Sequence, residues 1–217
     1  MTRLALLFDL DGTLIDSIPL LLDCAAFAFA GRTRAPTRAQ WTAGIGTPLR
    51  VQLAEWADSE EEIEALVTRY REYQDLHLER MTSAFPGVLD VLAWARHQGH
   101  VTGLVTSKGR VMTARSLAHV GMADAFDTIV TYEETTRHKP MADPLWLALD
   151  RLTWPMSRAL YVGDSTHDMY AGRAAGVDTA AALWGPFSRA ELERANPTYY
   201  MNQMSELPAV VRQILGR

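Results

Sequence analysis

Short apolar runs alternating with helix-like segments predict an α/β fold for this 217-residue chain, with a doubly wound parallel sheet and an inserted helical unit. Three observations carry that prediction. Strand-like runs recur at Leu4 to Phe8, Val101 to Val105, Thr128 to Val130, Ala159 to Val162 and Thr179 to Leu183. Between the later runs lie segments of helical character, Val88 to His97, Val111 to His119, Pro144 to Leu152 and Met169 to Ala175, several of them closed by Gly99, Gly121 or Gly176. Such alternation implies right-handed crossovers and parallel pairing. The third observation is an interruption: Ile15 to Ala84 carries helix-like patterns and no convincing strand.

Within that interruption, Ile18 to Ala30 reads as an amphipathic-to-buried helix and Pro48 to Ala57 as a second. Ser59 to Arg80 reads as a long charged helix, opened by Ser59 with Glu62 three residues on, a capping-box pattern. The segment begins directly after Asp9-Leu10-Asp11 and ends at Phe85-Pro86-Gly87, a hinge by composition. The expected organisation is therefore a core from residues 1–14 and 85–217, with residues 15–84 as a helical cap able to close over a site at the end of the first strand.

Composition narrows the class of function. Apolar residues make up 48% and charged residues 22%, as in ordinary globular proteins rather than disordered or collagen-like chains. The net charge of -5 gives no electrostatic reason to expect nucleic acid as a partner. The single cysteine, Cys24, has no internal partner and lies in an apolar run, which points to a packed thiol in a reducing compartment. The amino-terminal apolar run contains Asp9 and Asp11 and does not read as a signal peptide, and no stretch approaches the roughly 20 apolar residues of a membrane helix. A cytoplasmic protein without a membrane partner is expected.

Candidate chemistry sits at the carboxyl ends of the predicted strands, where ligands of such sheets bind. Asp9 and Asp11 share one side of an extended chain, and a hard divalent cation such as Mg2+ would offset their repulsion. The plain alternative is a strand running into an Asp-Gly turn. Thr106 and Ser107 end the second strand with hydroxyls suited to a phosphoryl oxygen, or simply cap the following helix. After the third, Pro140 restricts Lys139 to an extended conformation and announces a helix, so that Lys139 could neutralise a phosphoryl group and hold Asp9 ionised. His138 reads as a loop residue. After the fourth, Gly163 allows close approach, Asp164 can complete a metal site with Asp9, and Asp168 can bind through water or orient Lys139. Viewed alone, the last two are also what a helix amino terminus favours. Together these residues meet the demands of a phosphoryl-transfer site.

In this order and spacing the four segments resemble the haloacid dehalogenase superfamily over nearly the whole chain. The resemblance implies a Rossmann-like core, with Asp9 as the nucleophile that forms an aspartyl-phosphate and Asp11 as the acid/base. It implies phosphoryl contacts from Thr106 and Lys139. It also implies Mg2+ held by Asp9, the backbone carbonyl of Asp11 and Asp164, with Asp168 in support. Asp11 makes dehalogenation unlike this chain, and the absence of lysine from Ile15 to Ala84 disfavours the phosphonate-cleaving branch. The insertion after the first motif, with Gly44-Ile45-Gly46-Thr47-Pro48-Leu49 and Trp184-Gly185, is similar to phosphoglycolate-phosphatase-like members. A small phosphorylated metabolite, phosphoglycolate-like, is the expected substrate. Arg50 is the candidate for a second anionic group, against the alternative of a solvated helix arginine. A phosphomutase of the beta-phosphoglucomutase type, a pyrophosphatase and a non-catalytic binding module remain as other readings.

Overall fold

The hydrophobic run that ends at Asp9 sets the architecture. In the computed structural model, which describes residues 3–216, strand β1 (Ala5–Phe8) is buried along its whole length. Leu4, Leu6 and Phe8 face one side with Val88, Leu92 and Val211, while Ala5 and Leu7 face the other with Leu145, Leu149 and Tyr161. Both faces are apolar, as a strand covered by helices on each side requires.

The chain then forms β2 (Ile15–Asp16), helices α1 (Ile18–Ala28), α2 (Arg38–Gly44), α3 (Leu49–Ala54) and α4 (Glu60–Met81), and β3 (Ser83–Ala84). β2 and β3 pair antiparallel, Ile15 opposite Ala84, so the chain leaves and re-enters through one short ribbon. The helices between them pack around Leu20, Cys24, Trp41, Leu53, Tyr70 and Leu78. Cys24 is a free thiol, and burial pushes its pKa up to about 12. After the ribbon come α5 (Val88–His97), β4 (Val101–Val105), α6 (Arg110–His119), β5 (Thr128–Val130) and α7 (Asp143–Leu152). The remainder is β6 (Ala159–Gly163), α8 (Thr166–Ala175), β7 (Asp178–Ala182), α9 (Arg189–Arg194), β8 (Tyr199–Met201) and α10 (Leu207–Leu215).

The main sheet has the order β5-β4-β1-β6-β7-β8 and is parallel throughout. All five expected strands are present, within a residue or so at each end. The differences are local. Two strands of two residues each lie at the ends of the helical segment, and β8, a three-residue edge strand after Pro197, carries too short an apolar run to stand out. Helices α2, α9 and α10 were not expected. α1 stops at Ala28 and α3 at Ala54, both short of the sequence pattern.

Two capping expectations are corrected. Ser59 does accept from the backbone N–H of Glu62, but the Glu62 carboxylate turns instead to the Asp58 N–H and to Arg32, so only half of the box forms. Pro140 does not open a helix. Its peptide bond with Lys139 is cis, and α7 begins three residues later with Pro144 in its first turn.

Close packing on the sheet fixes small residues. Gly172 of α8 lies against β7, where an added Cβ would stand 2.3 Å from Thr179 Cγ2. Thr179 is fully buried and branched at Cβ, so it has little room to yield. Gly172→Ala is expected to lower stability by up to about 2 kcal/mol, the overpacking cost less the helix-propensity gain. A urea titration reads this as a lower midpoint, and an unchanged or higher midpoint would contradict the packing argument.

Candidate active site

Four neighbouring strands, β5, β4, β1 and β6, deliver their carboxyl ends to one edge. Asp9 follows β1 and donates its backbone N–H to Val162, which aligns it with the end of β6. Thr106 follows β4 and is tied in the same way to Val130 of β5. Lys139 arrives from the loop after β5. Asp164 follows β6, and Asp168 sits in the first turn of α8, whose N-cap Ser165 forms a complete capping box with it.

The centre of the arrangement is the Lys139 ammonium. It donates to Asp9 Oδ1 at 2.8 Å, to Asp168 Oδ1 at 2.7 Å and to the Tyr161 hydroxyl at 3.3 Å, with its side chain only 1% exposed. Burial alone would depress its pKa, but Asp168 and Asp9 outweigh that and hold it above the ordinary lysine value. Asp168 is likewise penalised by burial, yet Lys139, Ser165 and Tyr161 keep its carboxyl below the usual range. Asp9 is pushed up to about 7, chiefly by burial, against the pull of Lys139. Burial, reinforced by Asp168 and Asp9, raises Asp164 well above its ordinary value. One ammonium is thus shared by two aspartates, and it favours the ionised form more strongly at Asp168 than at Asp9.

What remains unmatched is one carboxylate oxygen of Asp164. Asp164 Oδ1 accepts from Thr13 Oγ1 at 2.6 Å, but its Oδ2 is buried without a hydrogen bond among the described residues. One oxygen each from Asp9, Asp164 and Asp168 falls within 4.8 Å of the others. Space around Asp164 is reserved by glycines, since a Cβ at Gly12 would lie 2.5 Å from its Oδ2 and one at Gly185 would lie 2.3 Å from its Cβ. Gly12 also has φ +85°, which only glycine adopts at low cost. An orphaned buried oxygen in an all-oxygen donor set fits a hard divalent cation.

Asp11 lies apart from this cluster. Lys108 Nζ grips both of its oxygens at 2.7 and 2.8 Å, and Ser17 Oγ donates to Oδ1 at 2.6 Å. Sequence reasoning gave no role to Lys108, Ser17, Thr13 or Tyr161. For Lys108 a signal existed, because a cation two residues past a strand-end threonine is carried to the same edge.

A cavity of about 380 Å³ separates this edge from α1 to α4, and Asp9, Asp11, Thr106, Ser107 and Arg50 line it. Thr106 Oγ1 accepts from the Lys108 N–H, which leaves its proton free to donate. The Ser107 hydroxyl is instead given to the Gly46 carbonyl between α2 and α3. Arg50 is engaged by Glu60 and Glu64 of α4. Lys139, Asp164 and Asp168 lie buried behind Asp9 rather than on the cavity wall. His138 stacks on Tyr132, away from the carboxylates.

The family model for haloacid dehalogenase-like hydrolases matches residues 6–182, which span all of these groups. The chain belongs to that family. A pyrophosphatase PpaX from Bacillus cereus (strain G9842) is 32% identical over 204 residues, covering 93% of each protein. A haloacid dehalogenase-like hydrolase from Streptococcus pneumoniae is 25% identical with a TM-score of 0.81, over 96% of this chain and 98% of that one. A predicted phosphoglycolate phosphatase from Haemophilus somnus shares the fold at TM-score 0.86 and 20% identity, over 97% of this chain and 98% of that one. As a member of this family the protein is an enzyme, a hydrolase of the phosphatase type.

The raised values of Asp9 and Asp164 have a thermodynamic sign. Above the ordinary carboxyl value of 3.8, the metal-free folded protein retains protons that the unfolded chain has released, so the contribution of Asp9 to stability is lost as pH rises through about 7, and Asp164 acts in the same direction. A divalent cation competes with the same protons. The rise in Tm on adding Mg2+ is therefore expected to be larger at about pH 8 than at about pH 5.5 and to be largely absent in Asp164→Asn. Thermal unfolding at the two pH values tests this, and an equal rise at both would count against a cation among these carboxylates.

Proposed function

We propose that this enzyme is a Mg2+-dependent phosphomonoester hydrolase acting on a small phosphorylated metabolite through an aspartyl-phosphate on Asp9. The observation that carries this reading is the sorting of two acids only two residues apart. Both face the cavity, but Asp9 stands with Lys139 and the buried carboxylates, while Asp11 is held by Lys108 and Ser17. Two carboxylates in contrasting surroundings suit two roles.

In the first step an Asp9 carboxylate oxygen attacks phosphorus, the bond to the leaving oxygen breaks, and Asp11 gives that oxygen a proton. In the second, water attacks the same phosphorus, Asp11 takes its proton, and Asp9 is released with inorganic phosphate. Lys139 fixes the Asp9 carboxylate and supplies positive charge behind it, and the free hydroxyl proton of Thr106 suits a phosphoryl oxygen. Asp9, the Asp11 backbone carbonyl and Asp164, supported by Asp168, would hold Mg2+, which when bound neutralises the carboxylates and the phosphoryl charge.

We further propose that residues 15–84 act as a cap over a core made of residues 1–14 and 85–217, with the β2-β3 ribbon as the joint. The cavity lies between the two, so closure would exclude water from the reacting phosphoryl group. The substrates named for the relatives, pyrophosphate and phosphoglycolate, each carry a second anionic group, and so both belong in any activity panel.

Asp9→Asn is expected to abolish phosphate release from p-nitrophenyl phosphate, and a chelator to do the same reversibly. Asp11→Asn is expected to lower kcat by about 10²–10⁴-fold, the usual range for a lost acid/base. Activity that survives Asp9→Asn or chelation undiminished would remove the assignment.

A further inference from the structure

Three neutral polar side chains of α3 and α4 line the cavity with hydrogen-bonding capacity left unfilled among the described residues. Tyr70 and Gln74 stand one turn apart on α4, so their side chains share a face. They are 4% and 5% exposed, both line the cavity, and neither side chain makes a hydrogen bond to any described residue. On α3, Gln52 gives its amide N–H groups to Gly44 and Thr47, while its Oε1 is buried and unpaired among the described residues. Buried amides and phenols are normally satisfied, so the Tyr70 hydroxyl and the Gln74 amide, unpaired among the described residues at the cavity wall, point to a ligand that completes them. Burial first, then the charges of Cys24 and Asp11, raises the Tyr70 hydroxyl well above its ordinary pKa, so it stays protonated and able to donate.

The cations of the same cavity are already engaged. Lys108 is held by Asp11, and Arg50 by Glu60 and Glu64. Lys139, behind Asp9, is shared with Asp168. Arg71 is the remaining basic lining residue, and it is exposed, where water and salt weaken its pull. A leaving group entering this space meets Asp11, open amide and phenol groups, and no buried cation free to accept a second anion.

Resting on the phosphatase reading above, we propose that Gln74 and Tyr70 are specificity-determining residues that hydrogen-bond neutral hydroxyls on the leaving alcohol, so that the substrates are monophosphates of small polyhydroxy compounds. An amide supplies both a donor and an acceptor, as a hydroxyl requires, and a phenol supplies a second such group beside it. An apolar leaving group leaves both unsatisfied. A doubly anionic substrate brings its second charge to Gln74 and Tyr70, which are neutral, beside a lysine already paired with Asp11.

The experiment uses the full-length enzyme with Mg2+ and four probes, glycerol 3-phosphate, phosphoglycolate, inorganic pyrophosphate and p-nitrophenyl phosphate. For the unmodified enzyme, kcat/KM on glycerol 3-phosphate is expected to exceed that on phosphoglycolate or pyrophosphate by about tenfold or more. Gln74→Leu and Tyr70→Phe are each expected to lower kcat/KM on glycerol 3-phosphate, mainly through KM. That loss should be at least about tenfold greater than the loss on p-nitrophenyl phosphate, which offers no hydroxyl to read. Tyr70→Phe removes a single oxygen, so the inference stays testable if Gln74→Leu folds poorly. A preference for phosphoglycolate or pyrophosphate, or losses equal on all probes, would overturn the inference while leaving the phosphatase reading intact. No hydrolysis of any probe by the unmodified enzyme would overturn the phosphatase reading and this inference with it.

Discussion

A lysine ammonium buried between two aspartates is the constraint around which the site is organised. Burying Lys139, Asp9 and Asp168 together is tolerable because the charges meet at hydrogen-bond distance and the remaining valences of Lys139 and Asp168 are filled. Asp168 is completed by Tyr161 and Ser165, which binds the cluster both to β6 and to the start of α8. The turn between those two elements carries Asp164. Moving the lysine would therefore disturb the nucleophile, the helix start and the orphaned carboxylate at once. Removing it would leave buried acids uncompensated, a change that costs about 3–5 kcal/mol in comparable buried pairs.

Around that fixed point the sheet works as a locating frame. β1 pairs with β4 and β6, and β5 completes the set of four strands whose ends converge. Backbone hydrogen bonds extend the ladder past the strand ends, from Asp9 to Val162 and from Thr106 to Val130, so these residues inherit the rigidity of the sheet. The helices α1 to α4 meet this frame through few contacts. Met112 of α6 packs into their apolar cluster, Ser107 donates to Gly46, and the His119 ring contacts the Thr82 carbonyl at 3.1 Å.

Much of this was legible in the sequence because buried parallel strands write themselves as short unbroken apolar runs, and because polar residues at their ends stand out against them. Asp9, Thr106, Asp164 and Asp168 were visible for that reason. Other features carried weaker signals. The Thr37 to Gln40 and Ser188 to Glu191 pairs form complete capping boxes that announce α2 and α9, yet the helices behind them are too short for periodicity to register. The Lys108 to Asp11 pair spans 97 residues, so the strand-end position of each was readable while their pairing was not. Arg50 shows the limit of chemical reasoning without coordinates. Its placement on the cavity wall followed from position, while its engagement by Glu60 and Glu64 depends on how α3 lies against α4. The engaged cations and the open amides of the wall became readable only once side chains had partners or lacked them.

Helix α4 is fastened to the sheet-bearing part by bonds of different ionic character from those near Gly46. Arg115 of α6 reaches Asp75 and Glu79 at 2.9 and 2.8 Å, an exposed and charged tie, whereas the Ser107 to Gly46 bond is neutral and partly buried. Dissolved ions screen the first and leave the second nearly untouched. Ionic strength therefore weakens the tie between α4 and α6 while the bond at Gly46 holds, so the two links between the helical layer and the sheet differ in their sensitivity to salt.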